Sequence, residues 1–346
     1  MTDSDRPLRV AIVGCHRMLL RTPTSHNFAA AFHAVPETEI VGVFDLGEQE
    51  RTEFVSCWQE VWSDLPTYSD LDRLLGELQP DLLCIATRQT LHADQIERAV
   101  AAGVRGILCD KPLVTTLAEM DRVLAACENA PLALALDRRW AVGYRHLRQL
   151  IGEGLVGRLS SLVAYGLPNT INHGCHWYDA ILALLGDPEP IWVSGELDAG
   201  DPSDERRQID PPCRAQIGTE DDMVAFVTCD GPKGPGFEIA GEEGRLSVYA
   251  DATRAVLWRQ GGEGSQALTL PAPVGDWPAG VGMVEDLVRA VREGGRTACD
   301  IAEVRRATEI GFAIHSSSAQ RGARVCVPAA DRQLRVESFP WGNDRP

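Results

Sequence analysis

The feature that most constrains this chain is the alternation of short apolar runs with helical patterns through its first third. Each run has the length and apolar content of a strand buried on both faces. The runs are RVAIVG (9–14), EIVGVFD (39–45), LLCIAT (82–87), GILCD (106–110) and LALALD (132–137). Helical patterns occur near 23–35, 69–77, 92–102 and 116–129. This β-α-β repeat predicts a parallel sheet with helices on both faces.

The pattern changes near residue 138, so we predict one domain over 1–137 and a second over 138–346. After a helical pattern at 141–154, longer runs of alternating polarity predict an α+β domain with a large, mostly antiparallel open sheet. The polar, proline-rich stretch 198–219 is expected to be an exposed loop. Helices near 281–293 and 301–321 complete an α/β fold class.

Composition limits the possible partners and compartments. The formal net charge of −17 argues against a nucleic-acid-binding surface, which needs clustered Lys and Arg. No apolar run is long enough to span a bilayer, and the first residues lack a secretory apolar region. The ten cysteines form no CxxC pair and mostly lie inside apolar segments, which favours buried thiols in the cytoplasm.

The turn after the first strand indicates a dinucleotide site of altered form. Gly14 ends that strand, and Asp45 ends the next, where a carboxylate can bind the adenosine ribose hydroxyls of NAD and repel the 2′-phosphate of NADP. His16 and Leu19 stand where the fingerprint places its second and third glycines. Arg17, Arg21 or backbone amides would then serve the phosphates, and the alternative is a Rossmann-like sheet that binds no cofactor.

A helix start at Thr22-Pro23 is favoured, because threonine is a good N-cap and proline fits the first helical position. The phosphate-binding turn would then be longer than usual.

Lys111 stands in the sequence Asp110-Lys111-Pro112, directly after a predicted strand, where open α/β sheets bind ligands. It is one of only two lysines in a chain that otherwise uses arginine. A lysine held there can donate to a substrate oxygen and stabilise a developing alkoxide. The alternative is a solvated loop lysine.

The segment NTINHGCHWYDAILALLGDP predicts one helix, with Asn169 or Thr170 as its cap and Gly186 at its end. Asn172, His176 and Asp179 share an arc beside the apolar stripe of that helix, and Asp179 is placed to orient His176 for proton transfer. His173 points further away. A metal site at His173 and His176 lacks a second ligand cluster, so we expect no metal. A structural histidine at a domain interface is the other alternative.

Taken together, these segments resemble the Gfo/Idh/MocA oxidoreductase family, from about residue 8 to 328. The segments that carry the resemblance are RVAIVGC, VFD, CIATRQTLHAD, CDKP, LDRRW, NHGCHWYD and IHSSSAQRGARVCVP.

The resemblance implies a Rossmann domain joined to an α/β domain whose open sheet supports a homo-oligomer. It implies NAD(P)-dependent oxidation or reduction of a hydroxylated small molecule such as a sugar or polyol. Lys111 matches the family lysine, with Asp110 in place of glutamate; His176 matches the acid/base histidine and Asp179 its partner.

Asn172 stands where many members of the family carry aspartate. Thr87 matches the threonine of a Thr-Pro-Asn motif whose other two residues differ here. We expect Gly14, His16, Arg17, Asp45, Thr87, Asp110 and Lys111 to bind NAD, and Arg139, Trp140, Asn172 and His173 to bind the substrate.

These departures from the family pattern keep two further hypotheses open beside the dehydrogenase. One is a redox-neutral enzyme, catalysing an elimination, isomerisation or cyclisation with altered or lost cofactor use. The other is a ligand-binding protein without catalysis. Lys111 and His176 are expected to meet in a shared crevice if the chain is an enzyme.

Overall fold

The computed structural model describes residues 6–232, 234–262 and 264–337, and these form two compact units. The first unit comprises residues up to Val114, Glu119–Trp140 and Val274–Ala302. The second comprises Thr115–Ala118, Ala141–Pro273 and the residues from Glu303 onward. Apart from the short segment Thr115–Ala118, the chain leaves the first unit after Trp140 and returns to it at Val274.

The first unit contains the predicted parallel sheet, with six strands in the order β3-β2-β1-β4-β5-β6. All five strand pairs are parallel. The strands are β1 (Leu8–Val13), β2 (Thr38–Phe44), β3 (Thr67–Tyr68), β4 (Leu82–Ile85), β5 (Gly106–Cys109) and β6 (Leu132–Leu134). Every residue of β4, β5 and β6 is buried, which explains their uninterrupted apolar sequence.

The helices between these strands are amphipathic to different degrees. They are α1 (Phe28–His33), α2 (Glu48–Trp58), α3 (Leu71–Leu78), α4 (Gln89–Ala101) and α5 (Leu117–Ala126), and α9 (Pro278–Glu293) adds to the unit. The sequence did not predict α2, which buries only Phe54 and Trp58 and so carries a weak periodic signal. Asp70 caps α3 by accepting from the backbone N–H of Arg73.

The second unit contains a nine-stranded sheet in the order β14-β13-β12-β11-β7-β10-β9-β8-β15. Its strands are β7 (Leu159–Tyr165), β8 (Pro190–Leu197), β9 (Cys213–Thr219), β10 (Val224–Thr228), β11 (Gly236–Gly241), β12 (Gly244–Tyr249), β13 (Arg254–Arg259), β14 (Ser265–Leu268) and β15 (Val325–Cys326). β7 and β10 are parallel and the other pairs are antiparallel. The predicted fold class is therefore confirmed.

One face of this sheet is buried and the other is open. Leu162, Ala164, Phe237 and Ile239 alternate inward along β7 and β11. On the opposite face Phe226 is 38% exposed and Trp258 44% exposed. The helices of the unit are α6 (Val142–Gly152), α7 (Gly174–Leu185), α8 (Glu205–Ile209) and most of α10 (Ile301–Ala319).

The expectation of an exposed loop over 198–219 is wrong. This stretch contains α8 and the whole of β9, which pairs with β8 on one side and β10 on the other. Cys213, Ala215 and Ile217 point inward and are buried, while Arg214 and Gln216 are exposed. The period-two pattern is present, but the polar residues before it obscure it.

Among the described residues, no helix combines the length and the hydropathy that a membrane crossing requires.

Candidate functional site

Gly14 lies at the carboxyl end of β1 with φ of 87°, a conformation that side chains rarely adopt. A Cβ on this residue would lie 2.7 Å from the carbonyl carbon and oxygen of Ala86 at the end of β4. Its N–H donates to the carbonyl oxygen of Phe44. Glycine is therefore required where β1, β2 and β4 approach one another.

Asp45 follows β2 and faces the turn after β1. The backbone N–H of Cys15 donates to its Oδ2 at 3.0 Å, and that of Gly47 donates to its Oδ1 at 3.1 Å. Cys15 is buried beside this carboxylate, and desolvation, the charge of Asp45 and a thiol–carboxylate contact at 3.6 Å raise the pKa of its thiol. Cys15 is therefore a protonated thiol at neutral pH, not a nucleophile.

The predicted helix start at Thr22-Pro23 is wrong. α1 begins at Phe28, and its N-cap is Asn27, whose Oδ1 accepts from the N–H of Ala30. The Asn27 amide also donates to the carbonyl oxygens of Leu20 and Thr22. These carbonyl contacts fold residues 20–27 into a loop, so the link between β1 and α1 is even longer than predicted.

A turn at residues 15–18 opens this link, closed by the N–H of Met18 donating to the carbonyl oxygen of Cys15 at 3.0 Å. His16 and Arg17 are its two central residues; His16 is half-buried and Arg17 is exposed. The indole N–H of Trp58 holds the turn from α2 by donating to the carbonyl oxygen of Met18 at 2.7 Å.

Asp110 and Lys111 follow β5, at the same carboxyl edge of the sheet as Gly14 and Asp45. Asp110 is buried, and its Oδ1 accepts from the backbone N–H of Lys111 at 2.8 Å. His26 Nδ1 lies 3.5 Å from that oxygen. Burial opposes ionisation of Asp110, but His26, Lys111 and the backbone N–H outweigh it and hold its pKa below the ordinary value.

Sequence reasoning missed His26. It precedes a helix cap in a loop of no recognisable motif, and only the fold brings it to Asp110, which lies far along the chain. Lys111 is half-buried, and its peptide bond to Pro112 is cis.

His92 joins the two turns that the sequence marked separately. Its ring is fully buried on α4, with Nε2 3.1 Å from the carbonyl oxygen of Thr87 and Nδ1 3.1 Å from that of Pro112. Burial lowers the pKa of His92. The hydroxyl of Thr87 donates to Gln95 Oε1 at 2.6 Å. His92 thus holds the turn after β4 against the turn after β5.

These residues fit a nicotinamide dinucleotide. Asp45 carries a carboxylate at the end of β2, where the ribose hydroxyls of a dinucleotide bind. The turn at residues 15–18 can offer backbone amides and the Arg17 guanidinium to a pyrophosphate. The close approach at Gly14 leaves backbone without side chains at the strand end. What differs from the usual arrangement is that no helix begins directly at this turn.

The candidate proton-transfer residues lie in the second unit, where the predicted single helix from Asn169 is wrong. α7 begins at Gly174 with His173 as its N-cap, and it ends at Gly186 as predicted. Asp210 holds the turn that precedes this helix, because its carboxylate accepts the backbone N–H groups of Ile171 and Asn172, each at 2.8 Å. A helix that began at residue 169 or 170 would leave these N–H groups without an intrahelical partner, and here a side chain from a distant segment satisfies them.

A second contact holds the same turn. The backbone N–H and the hydroxyl of Thr170 both donate to the carbonyl oxygen of Pro211, at 2.9 and 2.6 Å. Thr170 and Asp210 are buried. Sequence reasoning missed Asp210, because nothing in the polar stretch around it marks one carboxylate as buried.

The structure places Asn172 and His173 before α7 and His176 and Asp179 within it. The N–H of His176 donates to the carbonyl oxygen of His173 at 2.9 Å. Both histidines are half-buried, while Asn172 and Asp179 are buried. The helical arc predicted for Asn172 therefore does not apply, although Asp179 does follow His176 by one turn of α7.

Of the residues expected to bind substrate, Arg139 and Trp140 belong to the first unit and are buried. The indole N–H of Trp140 donates to Asp286 Oδ2 on α9 at 3.1 Å.

Most of the first unit matches a known family. Residues 8–137 match the model of the GFO_IDH_MocA family, described as an oxidoreductase family with an NAD-binding Rossmann fold. The resemblance seen in the sequence is confirmed over these residues.

Curated relatives match part of the chain. A D-apiose dehydrogenase from Paraburkholderia graminis is 28% identical over 158 residues, 45% of this chain and 39% of that protein. A D-xylose 1-dehydrogenase [NADP(+)] from Haloarcula marismortui is 25% identical over 58% of this chain and 51% of that protein. The chain thus spans about half the length of these relatives or less.

Solved structures match the whole fold. A levoglucosan dehydrogenase in complex with NADH and levoglucosan superposes with a TM-score of 0.77 at 19% identity, covering 93% of this chain and 100% of that one. An oxidoreductase from Agrobacterium radiobacter, in complex with NAD+, L-tartaric acid and magnesium, gives 0.76 at 16% identity over 92% and 98%. At these identities the likeness establishes the fold.

Proposed function

We propose that this chain, whose residues 8–137 match the model of the Gfo/Idh/MocA oxidoreductase family, is an NAD-dependent dehydrogenase or reductase acting on a hydroxylated small molecule. The single observation that carries the proposal is the carboxyl edge of the parallel sheet. There Gly14, Asp45, Asp110 and Lys111 follow three of its strands within the matched residues. Open α/β sheets bind their ligands at this edge.

Asp45 sets the choice of nucleotide. Its carboxylate would accept hydrogen bonds from both ribose hydroxyls and would repel a 2′-phosphate, so NAD is preferred to NADP. Backbone amides of the turn at residues 15–18, with His16 and Arg17, would bind the pyrophosphate. When bound, the nicotinamide supplies the acceptor or donor of a hydride.

The proton-handling roles fall to Lys111 and His176. In the oxidation direction, His176 takes the proton of the substrate hydroxyl while the carbon loses hydride and becomes a carbonyl carbon. Lys111 is proposed to donate a hydrogen bond to a substrate oxygen and to stabilise negative charge that develops there. Asp179, one helical turn after His176, is proposed to orient its ring, and Asn172 and His173 to bind neighbouring hydroxyls.

The substrates named for similar proteins supply a panel of test compounds: D-apiose, D-xylose, 1,5-anhydro-D-fructose, inositol and levoglucosan. Each compound is tested with NAD+ or NADP+. The exception is 1,5-anhydro-D-fructose, a ketone, which is tested with the reduced nucleotides. Formation or loss of reduced nicotinamide is followed by absorbance, and products are analysed separately. Turnover with NAD and a sugar or polyol is expected.

Two outcomes would replace the proposal. Conversion of a substrate without net change in the nicotinamide would identify a redox-neutral enzyme. Failure of both nucleotides to bind in a calorimetric titration would show that the protein is not an NAD(P)-dependent dehydrogenase.

Two further points belong to this proposal. Seven of the ten cysteines are buried, which favours a reducing compartment such as the cytoplasm. We also propose a homo-oligomer formed through the open face of the nine-stranded sheet, on which Phe226, Tyr249 and Trp258 are exposed. A second copy of this chain is the proposed occupant of that face.

A further inference from the structure

Asn169 and His173 are joined by two hydrogen bonds that together fix the chemistry of an imidazole ring. The backbone N–H of His173 donates to Asn169 Oδ1 at 2.6 Å. The Nδ2 group of the same amide lies 3.0 Å from His173 Nδ1. Asn169 is 2% exposed, so water does not replace either contact.

The first bond determines which way the amide faces. A backbone N–H can only donate, so the amide atom it meets is the acceptor oxygen. The other end of the amide, which faces the ring, is therefore the NH₂ group. The usual ambiguity between the oxygen and nitrogen of an asparagine side chain is removed at this position.

The second bond then determines the tautomer of His173. An amide NH₂ has no lone pair to offer, so His173 Nδ1 accepts and carries no proton. A neutral imidazole with a bare Nδ1 has its proton on Nε2. A protonated ring would place an Nδ1–H against the amide hydrogens, which Asn169 disfavours.

The backbone around the pair is held from a distant segment. Asp210 accepts the N–H groups of Ile171 and Asn172, and Pro211 accepts from Thr170, between the two partners in the chain. Asn169 and His173 thus lie at the two ends of a fixed turn. Their relative position follows from the fold and does not depend on a mobile side chain finding its partner.

We propose that Asn169 is a positioning residue that holds His173 as the neutral Nε2–H tautomer. His173 then offers a hydrogen-bond donor to an oxygen of the substrate, and His176 alone accepts the proton in the oxidation. The role in the reaction depends on the dehydrogenase proposed above. The tautomer itself depends only on the contacts with Asn169.

The tautomer is measured directly by NMR of protein carrying ¹⁵N-labelled histidine. Two-bond proton–nitrogen correlations show which ring nitrogen bears the proton, and the signals of His173 are those lost in His173→Gln. In the wild type the proton is expected on Nε2. An Nδ1 proton on His173 in the wild type overturns the proposal whether or not Asn169→Asp folds.

The variant Asn169→Asp provides a second test of the tautomer. The carboxylate keeps an acceptor for the backbone N–H but replaces the amide donor with an acceptor facing Nδ1. The proton is therefore expected to move to Nδ1. Asn129→Asp, an exposed change in the first unit, is the matched control and should leave the His173 signals unchanged. A His173 pattern that Asn169→Asp leaves unaltered also overturns the proposal.

Kinetics with the best substrate of the panel test the role in the reaction. Loss of one donor to the substrate should raise KM by about tenfold in Asn169→Asp and leave the affinity for NAD unchanged. If the tautomer of His173 shifts in Asn169→Asp and KM does not change, His173 does not bind the substrate. If no sugar or polyol is turned over, the proposed function fails while the NMR result still decides the tautomer.

Discussion

The backbone N–H of Cys15 donates a 3.0 Å hydrogen bond to Asp45 Oδ2, which fixes the turn after β1 to the end of β2. The carboxylate that would bind the ribose is thus oriented by the turn that would bind the pyrophosphate. Because Gly47 holds the other oxygen at 3.1 Å, the whole carboxylate is fixed before any ligand arrives.

This arrangement predicts that Asp45→Ala weakens NAD+ more than NADP+. A charge-assisted hydrogen bond contributes about 1.5–3 kcal/mol, so the Kd for NAD+ should rise by roughly 10- to 100-fold. Calorimetric titration of both nucleotides measures the change, with the exposed Asp64→Ala as control. An unaltered preference between the two nucleotides would show that Asp45 does not bind the ribose.

Lys111→Met and His176→Ala should each reduce kcat by about 10²- to 10⁴-fold, the range expected for one positioned acid or base. Urea unfolding midpoints should stay close to that of the wild type, since both side chains are only half-buried. His146→Gln, on α6, is the control for loss of a half-buried histidine. Full turnover by either variant contradicts its assigned role.

Because of His315, on α10, we expect the free energy of unfolding to fall in acid. Its Nε2 is buried and has no hydrogen-bond partner within the part of the chain that the structure describes. Burial lowers its pKa from 6.5 to about 4. Below pH 6.5 the unfolded chain therefore binds a proton at His315 that the folded chain does not bind. Stability from this group is complete above pH 6.5 and declines until the pH passes the folded pKa.

The expected size is about 1.4 kcal/mol per pH unit in that window, or about 2 kcal/mol by pH 5. His315→Gln should lose this slope while keeping the slope that the buried His92 produces. The free energy of unfolding, followed by tryptophan fluorescence in urea, is compared at about pH 7.5 and pH 5. Parallel changes in wild type and variant would show that His315 is already protonated in the folded state.

Asp210→Ala should destabilise the second unit by about 2 kcal/mol, because two buried N–H groups lose a charged acceptor. Asp210→Asn retains one acceptor oxygen and should lose less. The exposed Asp221→Ala serves as control. Hydrogen exchange at Ile171 and Asn172 gives the local readout, and protection that survives in Asp210→Ala would contradict the role of this carboxylate.

Phe226→Glu should dissociate the proposed oligomer, because it places a charge in the middle of the open sheet face. Mass measured by light scattering during size-exclusion chromatography gives the result. Val274→Glu, at an 86% exposed apolar residue of the first unit, is the control. A wild-type chain that is monomeric throughout would refute the oligomer, whatever the variants do.

Local sequence patterns predict five of the six strands of the parallel sheet, all except β3, and most of those in the second unit. A strand buried on both faces must be apolar along its whole length, and one buried on a single face must alternate. Both patterns are local and can be read directly. The glycine at 14, the carboxylate at 45 and the lysine at 111 follow from the same reading, because each stands at the end of a predicted strand.

The start of α7 and the pairing of distant polar groups depend on the tertiary fold. Residues 169–173 have a helical sequence pattern, but they form a turn in which the backbone N–H groups of Ile171 and Asn172 donate to Asp210. His26 reaches Asp110 in the same way, through the fold and across a long stretch of chain. Hydrogen bonds between distant segments leave no periodic trace in the sequence, because each depends on one residue at one place. Local periodicity therefore specifies the elements of this protein, and long-range polar contacts specify its site.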